Sequence, residues 1–263
     1  VDAKTGKTLT NKELLEKSVN LAVALEKKGF KTGDIAAISS ENQLNWFVAA
    51  CATMFLGGCV APLNPGYVER ELQHFFKISK PKIIFFSRRT ASLIQRVASS
   101  QPWLPELIQL DDEVDDNKIL TIEEIISSER QDPYRYHSAI IDKPSGQEVV
   151  ILCSSGTTGL PKGVMLSHRN MLAAIRALSH PEFTSIYRES VILVLLPFFH
   201  GYGYGTMITT ITENAQAIVM QSFEPKLFCE TVQKYQVSMV PLVPPIMVFL
   251  AKHPMVSHYD FGS

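Results

Sequence analysis

The sequence lacks the features that mark several classes of protein. Its 25 basic and 26 acidic residues nearly cancel, so it has no strongly basic field to hold nucleic acid or an anionic membrane surface. It contains no CxxC pair, no Asn-x-Ser/Thr site and no basic-then-apolar leader after Val1. We therefore interpret the four cysteines as reduced thiols and expect an intracellular protein.

Two stretches lack charge but are not predicted to cross a membrane. They run from Trp46 to Leu63 and from Ser190 to Thr212, and both reach the length of a membrane span. Gly57 and Gly58 interrupt the first stretch, and Pro197 interrupts the second. We expect buried helices and strands in both places.

Helical and strand patterns alternate along the whole chain. The predicted strands are 35–39, 59–62, 83–86, 107–110, 149–153, 191–196, 217–220 and 238–243. The predicted helices are 10–29, 42–55, 69–78, 91–99, a helix begun by the capping box at 121–124, 167–178, 225–235 and 245–252. This alternation implies right-handed βαβ crossovers and an α/β fold with mainly parallel sheets. A connector at 130–146 separates halves at about 1–130 and 147–263.

A loop rich in hydroxyl groups follows the predicted strand 149–153, at an edge where α/β sheets bind ligands. Glycines permit backbone conformations that turn amide groups toward an anion. The loop carries three glycines, four hydroxyl side chains and one lysine: Gly156, Gly159, Gly163, Ser154, Ser155, Thr157, Thr158 and Lys162. This composition favours a polyphosphate ligand.

The two glycine-rich segments differ from the better-known nucleotide-binding motifs. The loop is not a Walker A motif, because Pro161 replaces the second glycine and Gly163 replaces the hydroxyl residue after the lysine. The alternative to a phosphate loop is an ordinary surface turn. A second segment, 201–205, is not a dinucleotide fingerprint, because Thr206 stands where GxGxxG has its last glycine.

The segment SSGTTGLPKGVMLSHRN, which begins at Ser154, resembles the signature loop of the adenylate-forming superfamily. That superfamily includes acyl-CoA synthetases, 4-coumarate:CoA ligases and beetle luciferases. Further segments are similar to it in the same order: Ser40-Glu41-Asn42, GGCVAPLNP from Gly57, PFFHGYG from Pro197, and VPPIMVFLAKHP from Val243, which resembles the helix that walls the acyl pocket.

The resemblance implies a fold and an extent. It implies a layered α-β-α-β-α arrangement of mainly parallel sheets, with residues 1–263 as part of the N-terminal AMP-binding domain. The family's adenine-binding motifs and its C-terminal domain with a catalytic lysine are not found in the sequence. We therefore expect the chain to be a piece of a longer parent.

The resemblance also assigns roles to individual residues. It implies that the β- and γ-phosphates of ATP are held by Ser154, Ser155, Gly156, Thr157, Thr158, Gly159 and Lys162. Lys162 and His200 are the predicted catalytic residues, and Thr157, or alternatively Thr158, faces Mg²⁺. His200, Tyr202 and Thr206 are predicted to line the slot for the substrate carboxylate, although each could instead be a structural residue.

The implied reaction activates a fatty or aromatic acid with ATP as an acyl-adenylate and transfers the acyl group to coenzyme A. One alternative is a luciferin monooxygenase. A shortened region at 179–182, where beetle luciferases carry an arginine that contacts luciferin, argues against it. Another alternative is an inactive nucleotide-binding fragment. We expect no nucleic-acid partner and a location in the cytoplasm or the peroxisome.

Overall fold

The computed structural model describes residues 1–111, 119–154, 162–180, 182 and 186–262. Strands and helices alternate through this part of the chain. The strands are β1 (Ile35–Ser39), β2 (Cys59–Leu63), β3 (Ile83–Phe86), β4 (Glu106–Gln109), β5 (Glu148–Ser154), β6 (Lys162–Ser167), β7 (Val191–Val194) and β8 (Gln216–Val219). The α-helices are α1 (Asn11–Lys27), α2 (Leu44–Phe55), α3 (Glu69–Ser79), α4 (Ala91–Ser99), α5 (Ile122–Ser127), α6 (His168–Leu178), α7 (Gly201–Thr212), α8 (Pro225–Tyr235) and α9 (Pro244–Lys252).

The chain forms two compact units. The larger unit comprises Lys12–Glu41 and Asn45–Leu172, and the smaller comprises Val1–Asn11, Asn42–Leu44 and Ala173–Ser263. Each unit therefore draws on segments that are distant in sequence. The two predicted halves of the domain stay a prediction.

A six-stranded sheet organises the larger unit. Its strand order is β4-β3-β1-β2-β5-β6, and every neighbouring pair is parallel except β5 with β6. The predicted α/β fold class with mainly parallel strands is thus confirmed. The antiparallel β6 is the exception, because only seven residues separate it from β5, too few for the crossover that a parallel strand requires.

One face of this sheet is covered by α3 and α4. In α3, Leu72, Phe75 and Phe76 recur at helical spacing and are buried in the same apolar cluster as Ile84 and Phe86 of β3. Burying a side chain of this size contributes about 1.5–3 kcal/mol. The periodicity seen in the sequence is therefore what fixes these helices to the sheet.

The smaller unit is built on β7 and β8, which pair in parallel from Val191 opposite Gln216 to Val194 opposite Val219. The apolar core beside this pair takes Phe228 from α8 and Ile246 from α9. The core holds the two strands in place, and the carboxyl end of β7 leads into the segment that carries His200.

The structure differs from the predicted elements in three places. Strand β6 and helix α7 were not predicted, and the predicted strand 238–243 is wrong. In that segment only Met239 makes a β-bridge, to Ile192. Pro241 lacks the N–H that a continued ladder needs.

Among the helices found in the described residues, none has both the length and the hydropathy of a membrane-spanning segment.

Candidate functional site

One candidate site is the β5–β6 hairpin of the larger unit. Ser154 and Lys162 are its last paired residues, and the Ser154 hydroxyl donates to the Lys162 carbonyl at 3.4 Å. Two predicted phosphate ligands eight positions apart are therefore side by side at the start and end of the loop. The other predicted ligands, Ser155, Gly156, Thr157, Thr158 and Gly159, lie outside the described residues, and their roles stay predictions.

The residue before Ser154 anchors the end of β5. The Cys153 thiol donates to the carbonyl of Pro62 at 3.7 Å and is hydrogen-bonded to Tyr67, whose ring lies 6.2 Å from that of Phe75. Burial raises the pKa of the Cys153 thiol to about 11. Burial, followed by the bond to Cys153, also raises the pKa of Tyr67. Both groups stay neutral near pH 7, so they support the strand and do not act as nucleophiles.

The role predicted for Gly163 is wrong. It does not shape the loop, because it pairs with Cys153 inside the β ladder and is not among the positive-φ glycines of the described residues. A Cβ placed there would lie 3.1 Å from the Ile151 Cγ2 methyl. Glycine fits this position because the Ile151 side chain of the neighbouring strand approaches closely.

Lys162 gives the hairpin an exposed positive charge. The side chain lies at the open end of β6, where residues 162–165 are exposed. An ammonium group carries three donors and forms its strongest hydrogen bonds with charged oxygens. An exposed lysine next to a serine hydroxyl suits a phosphate group, which needs several donors and a positive charge.

The helix after the hairpin begins as predicted. The Ser167 hydroxyl accepts from the backbone N–H of Asn170 at 3.3 Å and donates to its Oδ1 at 2.8 Å, so Ser167 caps α6. The next residue, His168, has a buried Nε2 without a hydrogen-bond partner among the described residues, and burial lowers its pKa.

Another candidate site lies in the smaller unit, where His200 caps α7. The imidazole Nδ1 accepts from the backbone N–H of Tyr202 at 3.3 Å, and the His200 carbonyl accepts from the N–H of Tyr204 at 2.9 Å. Because Nδ1 is the acceptor, the neutral ring carries its proton on Nε2. The exposed imidazole therefore presents an N–H donor, which suits a carboxylate or phosphate oxygen.

Helix α7 starts with three glycines in five residues, and Gly203 explains why. A Cβ on Gly203 would lie 2.2 Å from the carbonyl oxygen of Pro197 and 2.5 Å from that of Leu196. No side chain fits at that distance. The first turn of α7 therefore packs directly against the end of the segment that follows β7, and this contact places His200 where it is.

One face of α7 borders an apolar cavity of about 440 Å³. The α7 residues that border the cavity have the i, i+3, i+4, i+7 spacing of side chains on one side of a helix. The cavity is lined by Tyr202, Gly205, Thr206 and Thr209 of α7, by Met239, Val240, Pro241 and Leu242, and by Leu178 and Ile186. Its size and lining are typical of a pocket for a small organic ligand.

Both predicted substrate-binding residues of α7 line this cavity. Tyr202 is 48% exposed, whereas Thr206 is buried and donates its hydroxyl to the Tyr202 carbonyl at 2.8 Å. The Thr206 oxygen keeps its lone pairs as acceptors. The structure thus brings His200, Tyr202 and Thr206 together on the first two turns of one helix.

Sequence reasoning missed much of the cavity wall. It predicted that the helix beginning near Val243 walls the pocket, but the segment 239–242 before α9 lines the cavity instead. It also missed Thr209, whose buried hydroxyl has no hydrogen-bond partner among the described residues. The spacing from Tyr202 to Thr209 would have revealed this face had α7 been predicted as a helix.

The predicted magnesium site is not found among the described side chains. No group of three or more His, Cys, Asp or Glu residues that could hold a metal ion occurs in residues 1–111, 119–154, 162–180, 182 and 186–262. Thr157, the predicted metal ligand, lies outside them. A magnesium ion at Thr157 therefore stays a prediction.

The fold and the candidate sites define an α/β protein with a β hairpin that carries an exposed lysine and with a mainly apolar cavity on α7. The chain belongs to the AMP-binding enzyme family, whose model matches residues 1–263. This confirms the resemblance that the sequence motifs indicate.

Individual relatives differ in what they catalyse. The chain is 34% identical to luciferin 4-monooxygenase of Photuris pensylvanica over 99% of its own length and 48% of that protein. It is 32% identical to 4-coumarate–CoA ligase-like 9 of Arabidopsis thaliana over 100% of its own length and 45% of that protein. It is also similar to the structure of a red-emitting luciferase from Phrixothrix hirtus, with a TM-score of 0.93, 33% identity, and coverage of 99% and 50%. The chain spans about half the length of the relatives it matches.

Proposed function

We propose that this chain forms the phosphate- and acid-binding part of a longer ATP-dependent acid–thiol ligase. Its substrate in this proposal is a fatty or aromatic carboxylic acid. The observation that carries the proposal is the mainly apolar cavity on α7, whose lining includes Gly201 and Tyr202, the two residues that follow His200. An acid with an apolar tail matches that distribution of polarity.

In the proposed reaction a carboxylate oxygen attacks the α-phosphorus of ATP, and the bond to the β-phosphate oxygen breaks. The products are an acyl-adenylate and pyrophosphate. The thiol of coenzyme A then attacks the acyl carbon, AMP leaves, and the thiol proton is released. The first step brings two anions together, so donors placed at the phosphates are its main requirement.

The residues of this chain would divide that task. Lys162 and Ser154, with the loop between them, would bind the β- and γ-phosphates and stabilise the charge that forms on pyrophosphate. A magnesium ion held at Thr157 would supply further charge neutralisation at these oxygens. The Nε2–H of His200 would donate to an oxygen of the carboxylate or the adenylate, and Tyr202 and Thr206 would flank the acid.

Light production from a luciferin is the second candidate, and the luciferases among the relatives favour it. It shares the adenylation step but then consumes O₂ in place of coenzyme A. We propose to incubate the full-length protein with ATP and a panel of acids, with coenzyme A or with luciferin in air. Acyl-CoA formed without light supports the ligase, whereas oxygen-dependent light supports the second candidate.

Pyrophosphate release tests the role of the hairpin. In the full-length protein, the double variant Lys162→Met and Thr157→Ala is expected to lower the rate about a hundredfold or more, because phosphate-binding donors are lost. Lys226→Met is the matched control, since Lys226 is an exposed lysine on α8 that pairs with Glu230 at 3.7 Å. An unchanged rate in the double variant contradicts the proposal.

The chain of 263 residues is expected to bind ATP weakly by itself and to catalyse nothing. Isothermal titration with ATP measures this, and micromolar affinity is the contrary result. Within the cell the proposed enzyme acts in the cytoplasm or the peroxisome, which fractionation of the full-length protein would distinguish.

A further inference from the structure

The side chain of Asn42 joins the carboxyl ends of β7 and β8. Its Nδ2 donates to the Leu196 carbonyl at 3.0 Å and to the Met220 carbonyl at 3.3 Å. Its Oδ1 accepts from the backbone N–H of Phe198 at 2.9 Å. The residue is 3% exposed, so these three bonds are made in the interior of the smaller unit.

These bonds hold the turn that presents His200. Leu196 and Phe198 flank Pro197, whose carbonyl accepts from the His200 backbone N–H at 3.0 Å. The same carbonyl leaves no space for a side chain on Gly203. The turn is therefore fixed from one side by Asn42 and from the other by the first turn of α7.

A buried amide with three partners is difficult to replace. A backbone N–H or C=O group that loses its partner in the interior lowers the stability of the fold. The turn would therefore move until these groups find new partners. The bond between the Nδ1 of His200 and the N–H of Tyr202 is 3.3 Å long, which is at the weak end of the usual range. A shift of the turn would readily break it and release the imidazole.

We propose that Asn42 is a positioning residue for His200. Through the turn at Pro197, it holds the His200 ring in the orientation in which Nδ1 accepts and Nε2 donates. The inference rests on the proposed function only in so far as His200 serves the substrate acid. Asn42 touches neither the cavity nor the imidazole, so its effect is exerted through the backbone.

The tautomer of His200 tests this directly. Imidazole ¹H–¹⁵N spectra of the chain would be recorded at about pH 9, where histidine side chains are neutral. We expect His200 as the Nε2–H tautomer, and a mixture of both tautomers in Asn42→Leu, which has a similar volume but cannot form the three bonds. His253 is the internal reference, because its Nδ1 accepts from the N–H of Met255 at 3.2 Å. Its signal should not change, and His200→Gln assigns the signal of His200.

Two further variants separate positioning from loss of stability. Asn45→Leu also removes a buried amide, which donates to the Leu110 carbonyl at 2.9 Å, and it should leave His200 unchanged. Asn42→Asp keeps the acceptor for Phe198 and should give an intermediate mixture even if Asn42→Leu does not fold. An unchanged tautomer in a folded Asn42 variant overturns the proposal, as does an equal change in Asn45→Leu.

Activity gives the second measurement. In the full-length protein Asn42→Asp is expected to lower kcat for pyrophosphate release about tenfold to a hundredfold, with the KM for ATP changed less than about threefold. If the unaltered protein activates no acid while the tautomer still depends on Asn42, the proposed function fails and the positioning role stands. If acid is activated and the tautomer is unaffected, only the positioning role fails.

Discussion

The hairpin around Ser154 and the turn around His200 are built in different ways. Ser154 and Lys162 are eight residues apart and meet because β5 and β6 form one local hairpin. His200 owes its position to Asn42, more than 150 residues earlier, and to Gly203 in the next turn. The hairpin therefore involves only a short window of sequence, whereas the turn depends on contacts between distant segments.

Glycine has a different purpose in each region. Gly163 in the hairpin and Gly203 in α7 both sit where another group approaches closely, at 3.1 Å and 2.2 Å from an ideal Cβ. The neighbour of Gly163 is a side-chain methyl group, which can move. The neighbour of Gly203 is a backbone carbonyl held by hydrogen bonds, so the two regions should respond very differently to the same substitution.

The largest effect is expected for Gly203→Ala. The added Cβ would overlap the Pro197 carbonyl, and relieving that overlap should lower the free energy of unfolding by about 3 kcal/mol. Urea denaturation monitored by circular dichroism measures it. Gly205→Ala is the matched control, because its Cβ would make an ordinary 3.5 Å contact with Leu178 and alanine favours a helix by about 1 kcal/mol. Equal destabilisation of both variants would contradict the packing argument.

A change in substrate preference is expected for Gly205→Leu. The larger side chain would extend toward Leu178 and fill part of the cavity, so the KM for acids with long tails should rise about tenfold. The KM for ATP and for short acids should stay within about twofold. The KM of Gly205→Ala for acids with long tails should lie between the values of Gly205→Leu and of the unaltered protein. Steady-state kinetics of the full-length protein provide the measurement, and a uniform rise for all acids would argue against this cavity as the acid site.

A smaller effect is expected for Gly163→Ala. The Ile151 methyl group can give way by a few tenths of an ångström, so the free energy of unfolding should fall by less than about 1 kcal/mol. The same urea experiment compares it with Gly203→Ala. A loss as large as that of Gly203→Ala would show that the hairpin is as rigidly packed as the turn.

The smallest effect at neutral pH concerns Cys153. Burial raises its pKa from 9.0 to about 11, so the folded state keeps a proton that the unfolded state loses first. The contribution to stability is complete below about pH 9 and is lost as pH rises through about 11. Unfolding experiments between these values should show a shallower loss of stability in Cys153→Ser than in the unaltered chain. If stability falls equally steeply with pH in both proteins, burial does not keep the Cys153 thiol protonated in this range.

Sequence reasoning was most accurate where the pattern is local. The strands Ile35–Ser39 and Ile83–Phe86 and the helices Ala91–Ser99 and Pro225–Tyr235 agree with their predicted limits. Each is a short apolar run or a segment with helical spacing, and glycine, proline or a capping residue lies at its ends. The phosphate-binding roles of Ser154 and Lys162 rest on a similarly short window, with hydroxyl groups, glycines and a lysine within ten residues, and they stay predictions.

Two of the failures, helix α7 and the segment 238–243, share one cause. Helix α7 was missed because each of its early glycines disfavours a helix by about 1 kcal/mol, and only the close contact of Gly203 with Pro197 explains why one of them is there. The segment 238–243 has the composition of a strand, but it lines the cavity and makes one bridge. In both places tertiary packing overrides local propensity.

Taken alone, the order of residues determined the alternating α/β pattern, the hydroxyl-rich loop and the family to which the chain belongs. Each of these is written in short windows, where apolar spacing and backbone preference act on neighbouring residues. Tertiary structure decided the tautomer of His200, the need for glycine at position 203 and the wall of the cavity. Those features depend on groups distant in the chain, such as Asn42 and Phe198, whose hydrogen bonding follows from packing and not from local preference.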